Sequence, residues 1–175
     1  MKHLTILLVM ILVPFVAGAQ SGPVDKLFDK YSGKDGYTTV YITKYMFSMF
    51  KETEKSDEPD ELNKVLGKLN SIKILAVEDP SFIPAGTNFY DEIMKELPRE
   101  KYNELMVVKE KDSDVVFLAR EEKGVIVELL LIAGSSDVSD NVLISIQGEI
   151  DLENISKLAK GLNIEGMEEL EKIDK

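Results

Sequence analysis

Residues 115–132 have the sequence VVFLAREEKGVIVELLLI, in which two apolar runs flank a short polar turn. Both runs, residues 115–121 and residues 125–132, are rich in β-branched and other aliphatic side chains, a composition typical of strands. The turn Glu122-Lys123-Gly124 is far too short for a parallel crossover, which needs roughly a dozen residues or more. The stretch therefore predicts a β-hairpin.

One further apolar run lies on each side of this hairpin. Residues 105–110 precede it, separated by the polar residues 111–113, and residues 142–147 follow it after a loop at residues 134–141. Connections of this length join antiparallel neighbours. We therefore predict a four-stranded antiparallel meander in the C-terminal part of the chain.

The chain before the meander alternates between strand-like and helical patterns. Apolar residues at helical spacing after Pro23 predict a helix that ends near Gly33; they are Val24, Leu27, Phe28 and Tyr31. Residues 37–43 predict a strand. This strand leads into a helix near Lys44, because Met46, Met49 and Phe50 return to helical spacing. Residues 72–77 predict a second strand.

Further helices are predicted at residues 62–69, with Asp60 as N-cap, at residues 90–97, at residues 151–162 and, more weakly, at residues 164–173. The polar run at residues 52–61 predicts an exposed loop. Together these elements predict an α+β fold, with a largely antiparallel sheet, the four-stranded meander and several amphipathic helices packed on the sheet.

The N-terminus has the three-part pattern of a secretory signal peptide. Lys2 is followed by an apolar run at residues 4–16 and by the small residues Ala17-Gly18-Ala19. We therefore predict a signal peptide at residues 1–19 and one domain at residues 20–175. No stop-transfer segment follows, so we expect no membrane insertion after cleavage and a periplasmic or secreted location.

Composition excludes several classes of function. The chain has 32 acidic and 21 basic residues and a net charge of −11, which disfavours nucleic acids and anionic lipid surfaces as partners. Its only histidine, His3, lies in the predicted signal peptide, and it has no cysteine. The mature domain then lacks a histidine base, a thiol nucleophile and the usual zinc ligands, and we predict no cofactor, no metal and no enzyme activity.

The hairpin supplies the candidate interaction residues. If Glu121 faces Val125, one face carries Val116, Leu118, Arg120, Ile126, Glu128 and Leu130, and the other carries Val115, Phe117, Ala119, Val125, Val127, Leu129 and Leu131. Either the chain's own helices cover both apolar faces, or an interaction face around Leu118, Arg120, Glu128 and Leu130 meets another subunit or an apolar ligand. Arg120 and Glu128 lie diagonally in this register and can form a local ion pair.

Other clusters give weaker signals. Asp137, Ser139 and Asn141 have the spacing of the first three ligands of a calcium loop, but Val142 and Gly148 replace the glycine and glutamate that the loop needs. Aromatic residues between Tyr31 and Phe50 form either a core or a binding groove.

Paired carboxylates leave one enzymatic alternative open. Glycoside hydrolysis needs two acids and no histidine, and the candidates in or beside strands are Glu104, Glu110, Glu128 and Glu149. No spacing singles out two of them, and the chain has no tryptophan to stack on a sugar ring.

Three stretches resemble a known family: YITKYMFSMF at residues 41–50, ELMVVKEKDSDVVFLARE at residues 104–121 and NVLISIQGEIDLENISKLAK at residues 141–160. They are similar to exported proteins of Bacteroides type that carry domain of unknown function 4252. The resemblance implies an exported bacterial domain encoded near sigma and anti-sigma factors, and it implies no catalytic or ligand residue.

These observations favour a non-enzymatic module of the bacterial cell envelope, linked to envelope sensing, that binds an unknown protein or a small apolar or glycan ligand. A carboxylate-dependent glycoside hydrolase is the alternative from another class. A structural subunit of a homo-oligomer is a third interpretation.

Overall fold

A computed structural model describes residues 22–53 and 65–151 of the chain. The predicted signal peptide, most of the polar run at residues 52–61, the Asp60 cap and the helices predicted beyond Asp151 lie outside the described residues. The described elements are helix α1 (Pro23–Tyr31), strand β1 (Tyr37–Thr43), helix α2 (Lys44–Thr53), strand β2 (Leu69–Val77), helix α3 (Phe89–Glu96), and strands β3 (Asn103–Lys109), β4 (Ser113–Glu122), β5 (Val125–Ser135) and β6 (Val142–Ile150).

The six strands form one antiparallel sheet in the order β1-β2-β6-β5-β4-β3. This arrangement, with helices packed on the sheet, confirms the α+β prediction. Strands β3 to β6 are neighbours in chain order, but they belong to a larger sheet. Strand β2 pairs with β6, with Ile74 opposite Ile144, and β1 pairs with the other side of β2.

Leu69 corrects one predicted boundary. Its helical spacing from Val65 and Leu66 predicts the end of a helix, but it is the first residue of β2 and is 1% exposed. It lies opposite Gly148 of β6. Pairing with a long neighbouring strand outweighs the local helical spacing here, as tertiary contacts often do.

Both faces of the sheet carry buried apolar side chains. We call the side under α1 and α3 the helical face; there Val24, Leu27, Phe28, Tyr31, Phe89, Ile93 and Leu97 pack on Leu75, Val116, Leu118, Leu130, Ile132 and Leu143. On the opposite face, Phe47 of α2 joins a cluster of Leu69, Ile72, Phe117, Ala119, Leu129, Ile144, Ile146 and Ile150. Burial of each large apolar side chain contributes roughly 1.5–3 kcal/mol.

The β4–β5 hairpin has a different register from the predicted one. Glu122, rather than Glu121, faces Val125, and Lys123 and Gly124 form a two-residue turn with positive φ angles of 55° and 81°. Both positive angles match the turn that suits the twist of a tight hairpin. The register then shifts between Arg120 and Glu121.

This shift changes which side chains share a face. Ile126 packs against the cluster on the opposite face, and not beside Leu118 as the uninterrupted register predicts. Arg120 lies directly opposite Glu128 and not on a diagonal. An extra residue in one strand reverses the facing of the residues beyond it, which accounts for both differences.

Candidate functional site

The predicted ion pair is the centre of a buried polar cluster on the helical face. Glu128 is 5% exposed, and its Oε2 accepts hydrogen bonds from the Tyr102 hydroxyl at 2.9 Å and from Arg120 Nε at 3.0 Å. Its Oε1 accepts from Gln147 Nε2 at 3.2 Å and from the Ser145 hydroxyl at 3.5 Å. We call these five residues the Glu128 cluster.

Strand pairing positions the cluster. Glu128 of β5 lies between Arg120 of β4 and Gln147 of β6, which are its partners on the two neighbouring strands. Tyr102 reaches the carboxylate from the residue just before β3. Two carboxylate oxygens have about four acceptor sites, and here four donors occupy them. The arrangement therefore gives both oxygens of this buried side chain hydrogen-bond donors from the neighbouring strands and from Tyr102.

Burial and the Glu128 carboxylate both raise the pKa of Tyr102. Burial disfavours the phenolate, and the adjacent negative charge and the hydrogen bond to Glu128 disfavour it further. The Tyr102 hydroxyl therefore remains protonated in the folded protein well above the pH at which an exposed tyrosine ionises.

This shift predicts a pH dependence for Tyr102→Phe. At neutral pH we expect the variant to lose about 1 kcal/mol of stability with the lost hydrogen bond. Above about pH 10, the unfolded wild type releases the Tyr102 proton while the folded wild type keeps it, so wild-type stability falls with pH. The phenylalanine variant lacks this loss, and the stability difference between the two proteins should shrink.

Denaturant unfolding at about pH 7 and about pH 10.5 measures this difference. Tyr45→Phe is the control, because Tyr45 is 74% exposed and its hydroxyl has little influence on folding. A difference between wild type and Tyr102→Phe that is equal at both pH values would contradict the prediction.

Arg120 also lines two open cavities. One, of about 560 Å³, lies among Glu100, Lys101, Asn103, Arg120, Glu121 and Glu122, and the other, of about 420 Å³, is lined by Arg120, Glu122, Val125, Val127, Gln147 and residues near them. Arg120 Nη1 contacts Glu122 between the two. The residues that line the first cavity are all polar or charged, and their charges are of both signs.

The two leucines of the predicted interaction face lie in the core. Leu118 and Leu130 are 1% and 0% exposed, and α1 and α3 pack over them. The chain's own helices therefore cover this part of the sheet, as the first of the two interpretations expects. Arg120, with 26% of its side chain exposed, is the residue of this face that reaches a cavity.

The early aromatic residues form both a core and the wall of a groove. Tyr31 and Tyr37 have ring centroids 4.6 Å apart, and both lie near Phe89. Tyr31 donates a hydrogen bond to Glu92 at 2.7 Å, whereas the buried Tyr37 hydroxyl has no partner among the described atoms. The same two tyrosines line an open groove of about 470 Å³ with Gly33, Lys34, Asp35, Phe82 and Pro84.

The candidate catalytic acids make separate contacts. Glu104 pairs with Arg99 and Glu149 pairs with Lys68, each at 2.7 Å, and Glu110 is exposed where β3 ends. Glu128 lies in its cluster. Among residues 22–53 and 65–151, no group of three acidic, histidine or cysteine side chains could hold a metal ion.

The residues with the calcium-loop spacing form structural hydrogen bonds. The Asp137 carboxylate accepts hydrogen bonds from the backbone N–H and the hydroxyl of Ser139, which forms a local turn. Asn141 is 0% exposed; its Oδ1 accepts from Phe89 N–H at 2.7 Å, and its Nδ2 donates to Thr87 C=O at 3.1 Å. The spacing in the sequence singled out these residues but did not predict their roles. The role of Asn141 depends on its contact with the start of α3, which is distant in the sequence.

Strand β1 lies at one edge of the sheet, with a described neighbour on one side only. Its sequence, YTTVYIT, has no charged residue, and its pairing with β2 has no register shift. The opposite edge strand, β3, carries Glu104 and Lys109, both in ion pairs, and its register shifts between Glu104 and Met106. Charges and bulges protect edge strands from pairing, and within the described ranges β3 has both of these features whereas β1 has neither.

Exposed apolar side chains continue from β1 into α2. Val40 and Tyr41 are 38% and 57% exposed, and Tyr45, Met46 and Met49 are 74%, 41% and 48% exposed. We call Tyr45, Met46 and Met49 the α2 surface. Sequence reasoning missed the edge position of β1, because the strand order depends on long-range pairing. Tyr41 and Tyr45, in contrast, belong to the aromatic run that the sequence singles out as a core or a binding groove.

No helix within the described ranges is long and apolar enough to cross a membrane. A comparison with curated proteins finds no match, and neither does a comparison with solved structures. A family model matches residues 31–158, which include all six strands. Because this match covers more than half of the chain, the protein belongs to the family described as domain of unknown function (DUF4252).

Proposed function

We propose that this protein is an exported, non-enzymatic interaction module of the bacterial cell envelope, and that its α2 surface binds an apolar surface of another protein. The signal-peptide pattern at residues 1–19 supports export. Because the chain resembles exported proteins encoded near sigma and anti-sigma factors, we infer that it takes part in envelope sensing.

The exposure of the α2 surface is the observation that carries this proposal. Tyr45, Met46 and Met49 follow one another within one turn and a half of helix, and each exposes two fifths or more of its surface. Tyrosine and methionine are enriched in protein interfaces, because tyrosine combines a large ring with a polar group and methionine adapts to irregular surfaces.

The state of the candidate acids favours binding over hydrolysis. A glycosidase needs one carboxylic acid and one carboxylate that face each other across a cleft. The four hydrogen bonds to Glu128 occupy its oxygens, and Glu104 and Glu149 are held in separate ion pairs.

Site-specific photocrosslinking in envelope preparations tests the proposal. A photoreactive amino acid in place of Tyr45 is expected to form an adduct with a protein other than this chain, identified by mass spectrometry. The matched control is the same amino acid in place of Val108, which is 38% exposed on β3, at the far edge of the sheet. No adduct at Tyr45, or the same adducts from both positions, would overturn the proposal.

A further inference from the structure

We propose that strand β1 pairs with β1 of a second copy of this chain, so that two six-stranded sheets join into one across a two-fold axis. This inference goes beyond the proposed function, because it concerns the edge of the sheet and not the α2 surface. It rests on the direction of the backbone groups of β1, on its side chains and on the charges at its ends.

Alternate residues of β1 direct their backbone groups to the open edge. Gly36 C=O accepts a hydrogen bond from Glu78 N–H at 2.9 Å, so the even-numbered residues that follow Gly36 face β2. Thr39 and Tyr41 therefore direct their N–H and C=O groups away from β2. Outward N–H and C=O groups of this kind are the ones that hydrogen-bond an added antiparallel strand.

The same residues are complementary to a second copy. A two-fold axis perpendicular to the sheet places the helical faces of both copies on the same side. Even-numbered residues of one copy must therefore lie opposite even-numbered residues of the other, and odd-numbered residues opposite odd-numbered ones. With the axis at Val40, the central residue of the seven-residue strand, Thr39 of each copy lies opposite Tyr41 of the other. Each of these pairs exchanges two hydrogen bonds, and the two Val40 side chains cover each other.

Charges at the two ends of β1 match in this antiparallel arrangement. Asp35 precedes the strand and Lys44 follows it, both are exposed, and neither forms an ion pair with another described residue. Pairing about Val40 places the Lys44 end of one copy beside the Asp35 end of the other, and symmetry repeats the contact. The Asp35 and Lys44 charges of one copy thus complement the Lys44 and Asp35 charges of the other in this register, although Lys34, also exposed, directly precedes Asp35.

Two further features agree with a closed dimer. The net charge of −11 repels a second copy at long range, but the strand itself is uncharged, and charges more than about 8 Å apart are largely screened at physiological ionic strength. The opposite edge, β3, has paired charges and a bulge, which prevent further strand addition. Association at β1 therefore ends at two copies.

Light scattering of the purified protein over a wide range of concentration, at physiological salt, tests the inference. We expect the mass to double as concentration rises. Val40→Lys places two like charges on the axis and is expected to weaken dimerisation at least about tenfold. Val107→Lys is the matched control, because Val107 is 42% exposed on the opposite edge and Val40 is 38% exposed, and it should leave the dimer unchanged.

Two other variants test the register. Thr39→Pro removes an N–H that faces the open edge and none that faces β2, so it should weaken the dimer while circular dichroism shows a folded protein. Asp35→Lys should also weaken the dimer, and adding Lys44→Asp should restore it, since the pair is then reversed.

A mass that stays monomeric at every concentration would overturn the inference, as would equal effects of Val40→Lys and Val107→Lys. Failure of Lys44→Asp to restore the Asp35→Lys dimer would overturn the register. Because the measurement uses the purified protein alone, a monomer leaves the proposed role of the α2 surface standing, and a failed crosslinking experiment leaves the dimer standing.

Discussion

Replacing Glu128 by alanine is expected to lower the free energy of unfolding by about 3 kcal/mol, because it removes the shared acceptor of several hydrogen-bond donors and leaves a cavity. The variant loses a carboxylate that accepts hydrogen bonds from Tyr102, Arg120 and Gln147 at 2.9–3.2 Å. The Arg120 side chain, 26% exposed, keeps its charge and its contact with Glu122, but the variant leaves its Nε–H without an acceptor. The shortened side chain also leaves a cavity between β4 and β6.

Denaturant unfolding at neutral pH measures this loss, and Glu149→Ala is the matched control. Glu149 also forms an ion pair, with Lys68, but 59% of its side chain is exposed, and exposed pairs contribute about 1 kcal/mol or less. The loss of stability in Glu128→Gln should lie between the losses in Glu128→Ala and Glu149→Ala, because the amide oxygen still accepts hydrogen bonds while the charge is lost. If Glu128→Ala costs no more than Glu149→Ala, the cluster does not have the stabilising role that its burial indicates.

Local patterns were sufficient to predict most elements of this fold. The β-branched and aromatic run at residues 37–43 coincides with β1, and the helical spacing after Pro23 coincides with α1. In both cases the signal lies within one element: alternation or helical spacing bounded by proline, glycine or a change of period. The turn between β4 and β5 was predicted one residue too long, at Glu122-Lys123-Gly124, because the residue types do not show that Lys123 takes a positive φ.

Register and strand order were not predictable in the same way. The bulge in the β4–β5 hairpin moves Ile126 to the opposite face, and no residue type between Arg120 and Glu128 indicates it. Strand β2 lies next to β6, which follows it by some seventy residues, so the sequence alone does not show that β1 is an edge. The Glu128 cluster depends on both features, and for this reason only its Arg120–Glu128 pair could be predicted.

Asn141→Ala is expected to lower the free energy of unfolding by about 3 kcal/mol, because it leaves buried backbone groups without partners. The Asn141 side chain joins the loop before β6 to the start of α3, where it accepts from Phe89 N–H and donates to Thr87 C=O. Phe89 is 0% exposed, so water does not replace the lost acceptor without local opening. Helix α3 covers the helical face, and loosening its first turn exposes part of that core.

Asn88→Ala is the matched control for this prediction, because Asn88 caps the same helix from a less buried position. Its side chain accepts from Asp91 N–H at 3.0 Å, and loss of such a cap costs about 1 kcal/mol. Amide hydrogen exchange separates the two effects: Asn141→Ala should remove protection at Phe89 N–H, whereas Asn88→Ala should remove it at Asp91 N–H. Unchanged protection at Phe89 in Asn141→Ala would show that another group satisfies this amide, and the expected loss of stability would then lack its cause.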